Sequence, residues 1–136
     1  QIAEEVYNFC SNNYHEGNGL SIKQRKEYHL YDKFKPEFYG YYSDYDWVVF
    51  CWLFGKMIDL PKGFPMFAFD LKQTLDETVL KIKSENNGKL CFTYSPYGVE
   101  CKDIEEHHNY PKQTNEHNAL YDARWTKQLY EFLNNL

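Results

Sequence analysis

A histidine and an aspartate stand five positions apart in the stretch EHNALYDARW, which covers residues 116–125. An imidazole can take a proton from water and a carboxylate can bind a hard cation, so such a pair suits hydrolytic chemistry. On one continuous helix, at about 100° per residue, the two side chains would lie roughly 140° apart. If Asn118 caps the helix instead, His117 lies in the preceding loop and can lean over the first turn, which carries Asp122. The sequence therefore predicts a helix that begins just after Asn118.

A second acidic candidate, Asp46, stands between a predicted strand and a predicted helix. Residues 38–42 are rich in β-favouring rings, and residues 47–54 are apolar on every side until a glycine follows. Such a short apolar run fits either a strand or a buried helix, and Ser43 and Asp44 favour a helix because both can cap its start. Asp46 would then lie in the first helical turn, just past a strand end, where open α/β sheets bind ligands. Asp44 competes with Asp46 for this role.

Other elements must position these candidates. The pattern predicts a short N-terminal amphipathic helix ending near Asn12, a strand entering a helix at about 71–83, and a possible hairpin turning at 95–98. Residues 14–36 are polar and mixed in charge, which indicates a solvated loop or, alternatively, a basic surface that steers phosphates. The final helix carries an apolar stripe of Trp125, Leu129, Phe132, Leu133 and Leu136.

The composition narrows the class of protein. A chain of 136 residues with 43% hydrophobic residues is long enough for a single domain, and no run is long and apolar enough to span a membrane. Four scattered cysteines without a CxxC pair argue against structural zinc and predict buried free thiols in a reducing, cytoplasmic setting. The net charge of -5 argues against a purely electrostatic nucleic-acid binder, although a nuclease that holds metal ions on carboxylates remains compatible.

Three stretches together resemble a known family. HNALYDARW is similar to the third motif, His-x4-Asp, of DEDDh 3′-5′ exonucleases in the mycobacterial-type 3′-5′ exoribonuclease family. YSDYDWVVFCWLFG resembles that family's second motif, where a Tyr-Asp pair opens a buried helix, and FPMFAFDLKQTL resembles the strand and helix that follow. The matches occur in the family's order and span about residues 37–133.

The resemblance implies an α/β fold of the RNase H-like (exonuclease) type, with a central mixed sheet flanked by helices. The strand over residues 38–42 would lie in the interior of this sheet, and the helices that begin near Asp46 and Asn118 would converge at its C-terminal edge. It also implies hydrolysis of RNA or DNA from the 3′ end with two Mg²⁺ or Mn²⁺ ions about 3.5–4 Å apart. Asp122 and Asp46 would be metal ligands, and His117 would be the catalytic base, a task suited to an imidazole's ordinary pKa of about 6.5. The implied partner is a single-stranded or 3′-overhanging nucleic acid, and a homodimer is left open.

One part of the family pattern is missing from the sequence. The first motif, an Asp-x-Glu on the first strand, should precede all the matches, and no such segment stands before the N-terminal helix. We therefore expect residues 1–136 to be one partial exonuclease-like domain without its N-terminal strands, with Asp46, His117 and Asp122 as three of five site residues. Such a fragment should be inactive alone, and a non-catalytic relative that binds nucleic acid or protein is the alternative hypothesis.

Each candidate also has a purely structural interpretation. Asp122 could compensate the helix dipole, Asp46 could be a first-turn acid, and His117 could be a loop or capping residue. Trp47 and Phe50 could stack on a terminal base, although core packing is favoured. The pair His107-His108 and Asp70 are interpreted as loop and helix-entry residues, respectively.

Overall fold

The computed structural model describes residues 1–12, 35–92 and 99–136. These ranges contain four α-helices: α1 (Ile2–Asn12), α2 (Ser43–Trp52), α3 (Leu71–Glu85) and α4 (Ala119–Leu133). They also contain four short strands: β1 (Tyr39–Gly40), β2 (Phe69–Asp70), β3 (Leu90–Phe92) and β4 (Val99–Cys101). The combination of helices and strands agrees with the expected α/β class. The predicted basic loop lies almost wholly, and the predicted turn at 95–98 wholly, outside the described residues.

The strands form two-stranded sheets in the described part of the chain. β3 and β4 are antiparallel, with Leu90 opposite Cys101, which confirms the predicted hairpin pairing. β1 and β2 run parallel, and the Phe69 amide donates a hydrogen bond to the Phe38 carbonyl at 2.8 Å.

β1 differs from its prediction in length and in position. The strand was predicted over residues 38–42, but the backbone at Tyr42 takes a left-handed φ of +56°, which an extended strand cannot accommodate. β2 is the neighbour of β1, and among the described strands none lies on its other side. The predicted place of this strand in the interior of a sheet is therefore not found in the described residues.

The residues divide into two compact units, each with its own apolar core. The first unit is Gln1–Phe38 with Ser43–Phe69, and its core joins Tyr7 and Phe64, whose rings stack at 6.0 Å. Partly buried residues complete this core: Cys10, Phe38, Phe50, Phe54 and Leu60. Trp47 stacks on Phe50 at 5.2 Å and donates its ring N–H to the Met66 carbonyl at 3.3 Å. Phe50 is thus part of this core, as the core-packing interpretation expected, and Trp47 packs on its ring.

α2 is a helix, as predicted, but it is not buried on every side. Its buried residues are Ser43 and Cys51, whereas four large side chains along another face are exposed. The helix packs one face on the ring cluster of the first unit, and the opposite face is exposed within the part of the chain that the structure describes. The apolar run therefore predicted the helix correctly, but the expectation that this helix is buried on all sides was wrong.

The second unit, Tyr39–Tyr42 with Asp70–Leu136, contains the larger core. α4 packs on α3 and on β1, and α3 packs on β3. The buried cluster consists of Leu71, Leu75, Leu90, Phe92, Cys101, Ile104, Trp125, Leu129 and Phe132. The predicted stripe on the last helix supplies three of these residues, whereas Leu136 at its end is exposed. This packing fixes α4, the helix that carries Asp122, by its apolar face.

No helix in the described ranges has both the length and the apolar character that a bilayer crossing requires.

Candidate functional site

The start of α4 is set by Asn118, as the sequence predicted. Asn118 has an extended backbone, with φ -101° and ψ 115°, and its side-chain oxygen accepts from the amides of Leu120 (3.2 Å) and Tyr121 (3.4 Å). The Asp122 amide donates to the Asn118 carbonyl at 2.9 Å, which closes the first turn. An N-cap of this kind satisfies amides that have no partner within the helix. His117 therefore lies outside the helix and Asp122 inside its first turn.

His117 is presented by a tight, left-handed stretch of backbone. Its φ is +67° and that of Asn115 is +52°, while the Asn118 amide donates to the Asn115 carbonyl at 3.2 Å. A positive φ is unfavourable for a non-glycine residue and persists only where surrounding contacts impose it. The imidazole is exposed to solvent at this turn, so water can reach it.

Asp122 is half-buried, and its carboxylate has a partner that the sequence did not reveal. The side-chain amide of Gln113 donates to Asp122 Oδ1 at 3.2 Å, across nine positions of the chain. A glutamine in a polar loop gives no sequence signal that distinguishes it from its neighbours. The first-turn position also places this carboxylate at the positive end of the helix dipole, as the structural interpretation expected.

The loop before α4 is anchored to the core of the second unit by Trp125. This residue is buried, and its ring N–H donates to the Pro111 carbonyl at 3.0 Å. Its ring meets Tyr41 edge-on at 4.9 Å. Pro111 lies two residues before Gln113, and Trp125 lies about one helical turn after Asp122. The hydrogen bond between Pro111 and Trp125 therefore holds both ends of the segment that carries the candidate residues.

Asp46 belongs to the first unit, where it lies in the first turn of α2 together with Asp44. Both carboxylates are exposed. The predicted position of Asp46 in the first helical turn is confirmed, and the choice between Asp46 and Asp44 stays open. The convergence of Asp46 with His117 and Asp122 stays a prediction.

Within residues 1–12, 35–92 and 99–136, no three His, Cys, Asp or Glu side chains lie together in a group that could hold a metal ion. The four cysteines, all in these ranges, are free thiols, of which Cys51 and Cys101 are buried. Burial raises the pKa of the Cys51 thiol and of the Cys10 thiol.

His107 occupies the core and not only a loop, which the sequence interpretation did not anticipate. Its ring meets Phe92 at 4.6 Å and Phe132 at 5.2 Å, and its Nδ1 accepts the Asn109 amide at 3.2 Å. Burial, together with the neighbouring His108, lowers the pKa of His107. The sequence signal for this burial was the three-residue spacing between the apolar Ile104 and His107. In a 3₁₀ turn, such as the one at Ile104–Glu106, residues three apart lie on the same side.

Asp70 behaves as the helix-entry residue that the sequence indicated. Its carboxylate Oδ1 accepts the amide of Lys72 at 2.7 Å, which caps α3, and the amide of Tyr42 at 3.3 Å. These bonds give Asp70 a structural role at the junction of β2 and α3.

Comparisons of the chain with protein-family models, with curated proteins and with solved structures gave no match.

Proposed function

We propose that this chain is part of a 3′-5′ exonuclease with an RNase H-like fold that shortens RNA or DNA from its 3′ end. The observation that carries the proposal is the start of α4. Asn118 separates an exposed histidine in a strained loop from a half-buried aspartate in the first turn. The parallel connection from β1 through α2 to β2 supports the fold, since parallel strands joined by a helix are the basic unit of α/β sheets.

His117 is the group that we propose as the general base. A base must reach the water from which it takes a proton, and the exposed imidazole just outside the helix meets this requirement. The φ of +67° at His117 sets the direction in which its Cα–Cβ bond leaves the loop. A fixed point of attachment limits the region that the imidazole can reach before the substrate binds, which helps to position a base.

Asp122 is the carboxylate that we propose as a ligand of Mg²⁺ or Mn²⁺. Carboxylate oxygen is the right donor for a hard cation, and the Gln113 amide orients this carboxylate through Oδ1. Mg²⁺ prefers six oxygen ligands, however, and the described residues gather no group of three ligating side chains. The described residues therefore do not by themselves make up a two-cation site, and the proposal requires further carboxylates such as those of an Asp-x-Glu motif.

The experiment is a 3′-trimming assay on a 5′-labelled single-stranded oligonucleotide, in RNA and in DNA form, with Mn²⁺ or Mg²⁺ added. The 136-residue chain is tested, together with the longer product if the gene encodes residues upstream of Gln1. In an active form, His117→Ala should lower turnover by about 10²- to 10⁴-fold, the range for a lost general base. His108→Ala, an exposed histidine elsewhere in the second unit, is the matched control and should trim normally.

The carboxylates are tested in the same assay. Asp122→Asn should abolish trimming, because it removes an anionic ligand while preserving the size of the side chain. Asp46→Asn and Asp44→Asn decide between the two acids of α2, since only one of them should be required. An active form that trims equally well with His117→Ala and with Asp122→Asn would refute the site. Oligonucleotide binding without trimming by every form would favour the non-catalytic alternative.

A further inference from the structure

A cleft lies in the second unit, between the last turns of α4 and the loop that follows the 3₁₀ turn at Ile104–Glu106. Its volume is about 310 Å³, at the small end of the range for small-molecule sites, which is roughly 300–1,000 Å³. The floor consists of the buried residues His107, Pro111 and Phe132. The polar side chains of the rim are exposed: Asn109, Gln128, Glu131 and Asn135. A buried floor with a few polar groups around it is typical of a ligand site.

This cleft is separate from the candidate exonuclease site. Glu131 at its rim lies nine residues after Asp122 on the same helix, which is roughly 14 Å along the helix axis. Asp122 is in the first turn of α4, whereas the cleft is formed by the last turns. A ligand in the cleft would therefore occupy a second site, and its binding does not depend on the exonuclease activity proposed above.

The charges around the cleft favour a cation. Glu131 contributes a carboxylate, and in the described part of the chain no lysine or arginine lines the cleft. The end of α4 adds the negative end of a helix dipole. Burial and the neighbouring His108 lower the pKa of His107, so its ring is uncharged at neutral pH. A phosphate or carboxylate ligand would find no cationic partner among these lining residues.

The chemistry of the lining favours a guanidinium over an ammonium group. The rings of His107 and Phe132, with centroids 5.2 Å apart, form a floor against which a planar, weakly hydrated cation can pack. The Glu131 carboxylate can accept two parallel N–H bonds from the guanidinium fork. Asn135 donates its Nδ2 to the Glu131 carbonyl at 2.6 Å, so its Oδ1 can accept a further N–H. An ammonium is a strongly hydrated point charge and gains less from such a floor.

Glu131 already has a weak cationic partner in the chain. Lys127 Nζ lies 3.7 Å from Glu131 Oε1, and the two side chains are 76% and 55% exposed. An exposed ion pair of this kind contributes little to stability. A ligand that donates two hydrogen bonds to Glu131 can therefore displace Lys127, and removing Lys127 should strengthen the binding of a cation.

We propose that this cleft binds a guanidinium group, with Glu131 as its anionic partner and the rings of His107 and Phe132 against its plane. The group belongs either to a free small molecule or to an arginine side chain of a partner protein. For a small free compound we expect a dissociation constant of about 1 mM, because few non-hydrogen atoms contribute to binding.

The first test is a titration of the 136-residue chain followed by two-dimensional ¹H–¹⁵N NMR spectra. Ethylguanidinium chloride is the probe, and ethylammonium chloride is the control of equal charge. Saturable shifts should centre on the side-chain amides of Asn109, Gln128 and Asn135, and ethylammonium should bind several-fold more weakly. The proposal is overturned if these amides do not shift at concentrations well above the millimolar range. Equal binding of the two cations would also overturn it.

The second test uses variants that change one charge each. Glu131→Gln removes the carboxylate, keeps the size of the side chain, and should weaken ethylguanidinium binding by about tenfold. Lys127→Gln removes the competing cation and should strengthen binding by about twofold. Glu77→Gln, at an exposed acid on α3, is the matched control and should bind normally. The same spectra show whether each variant is folded. A folded Glu131→Gln with unchanged affinity, or weaker binding by Lys127→Gln, would overturn the assignment of Glu131.

The third test distinguishes the two sources of the group. Free L-arginine and the blocked peptide acetyl-Gly-Arg-Gly-amide are titrated in the same way. Tighter binding of the free amino acid supports a small-molecule ligand, and tighter binding of the peptide supports an arginine of a partner protein. If neither compound shifts the amides of the cleft, the proposal is overturned, since both carry an accessible guanidinium.

Discussion

Removing the cap of α4 should destabilise the helix that carries Asp122. In Asn118→Ala, the amides of Leu120 and Tyr121 lose the side-chain oxygen that accepts from them at 3.2 and 3.4 Å. Asn118→Ser retains an acceptor at the same position and should keep most of the stability. Asn134→Ala is the matched control, because Asn134 lies exposed at the other end of α4 with φ -76° and ψ -10°, a conformation that alanine adopts readily.

The expected loss follows from the geometry of this cap. Replacing an N-cap asparagine by alanine costs about 0.5–2 kcal/mol. The distances at Asn118, 3.2 and 3.4 Å, lie at and beyond the long end of the usual N–H···O range, so we expect about 0.5–1 kcal/mol. For a chain of this size, a loss of that magnitude lowers the melting temperature by about 2–4 °C or slightly more. Asn134→Ala should stay within about 0.5 kcal/mol of the unmodified chain.

The assay is urea unfolding followed by far-ultraviolet circular dichroism, with the free energy obtained by linear extrapolation. Amide hydrogen exchange gives a local measurement, in which the Leu120 and Tyr121 amides should lose protection in Asn118→Ala and not in Asn134→Ala. Equal free energies of unfolding for these two variants would show that Asn118 does not cap the helix. A loss in Asn118→Ser as large as in Asn118→Ala would refute the side-chain hydrogen bond as the cause.

Three further predictions concern the cores. Leu129→Ala should lower the free energy of unfolding in urea by about 2–5 kcal/mol, because Leu129 is fully buried. The control Leu80→Ala, at an exposed position, should lower it by less than about 0.5 kcal/mol. Equal losses in the two variants would contradict the assigned burial. Since the folded state lowers the pKa of His107 below its ordinary 6.5, the neutral ring is favoured there, and stability should fall as the pH drops below about 6.5. In His107→Gln this fall should be smaller, as measured by urea unfolding over a pH series, and an unchanged slope would exclude His107 as its source. The Cys51 thiol, whose pKa burial raises, should be alkylated more slowly in the folded chain than in urea; mass spectrometry measures both rates, and equal rates would contradict its burial.

The sequence by itself determined those features that depend on neighbouring residues. Asn118 and Asp70 were recognised as helix-entry residues because a cap joins a side chain to amides two or three positions further on. The hairpin pairing of β3 with β4 and the helical period of α4 were readable for the same reason. Interactions over a few residues leave a pattern in the sequence, so the structural frame around His117 and Asp122 could be predicted.

Only the tertiary structure decided which surfaces are covered and which distant residues meet. His107 became a core residue because Phe92 and Phe132, from a strand and a helix far apart in the chain, pack on its ring. Gln113 reached Asp122 because the intervening loop folds back over the start of α4. α2 was predicted to be buried, yet one face is exposed, because burial depends on what packs against a helix and not on the helix's own composition.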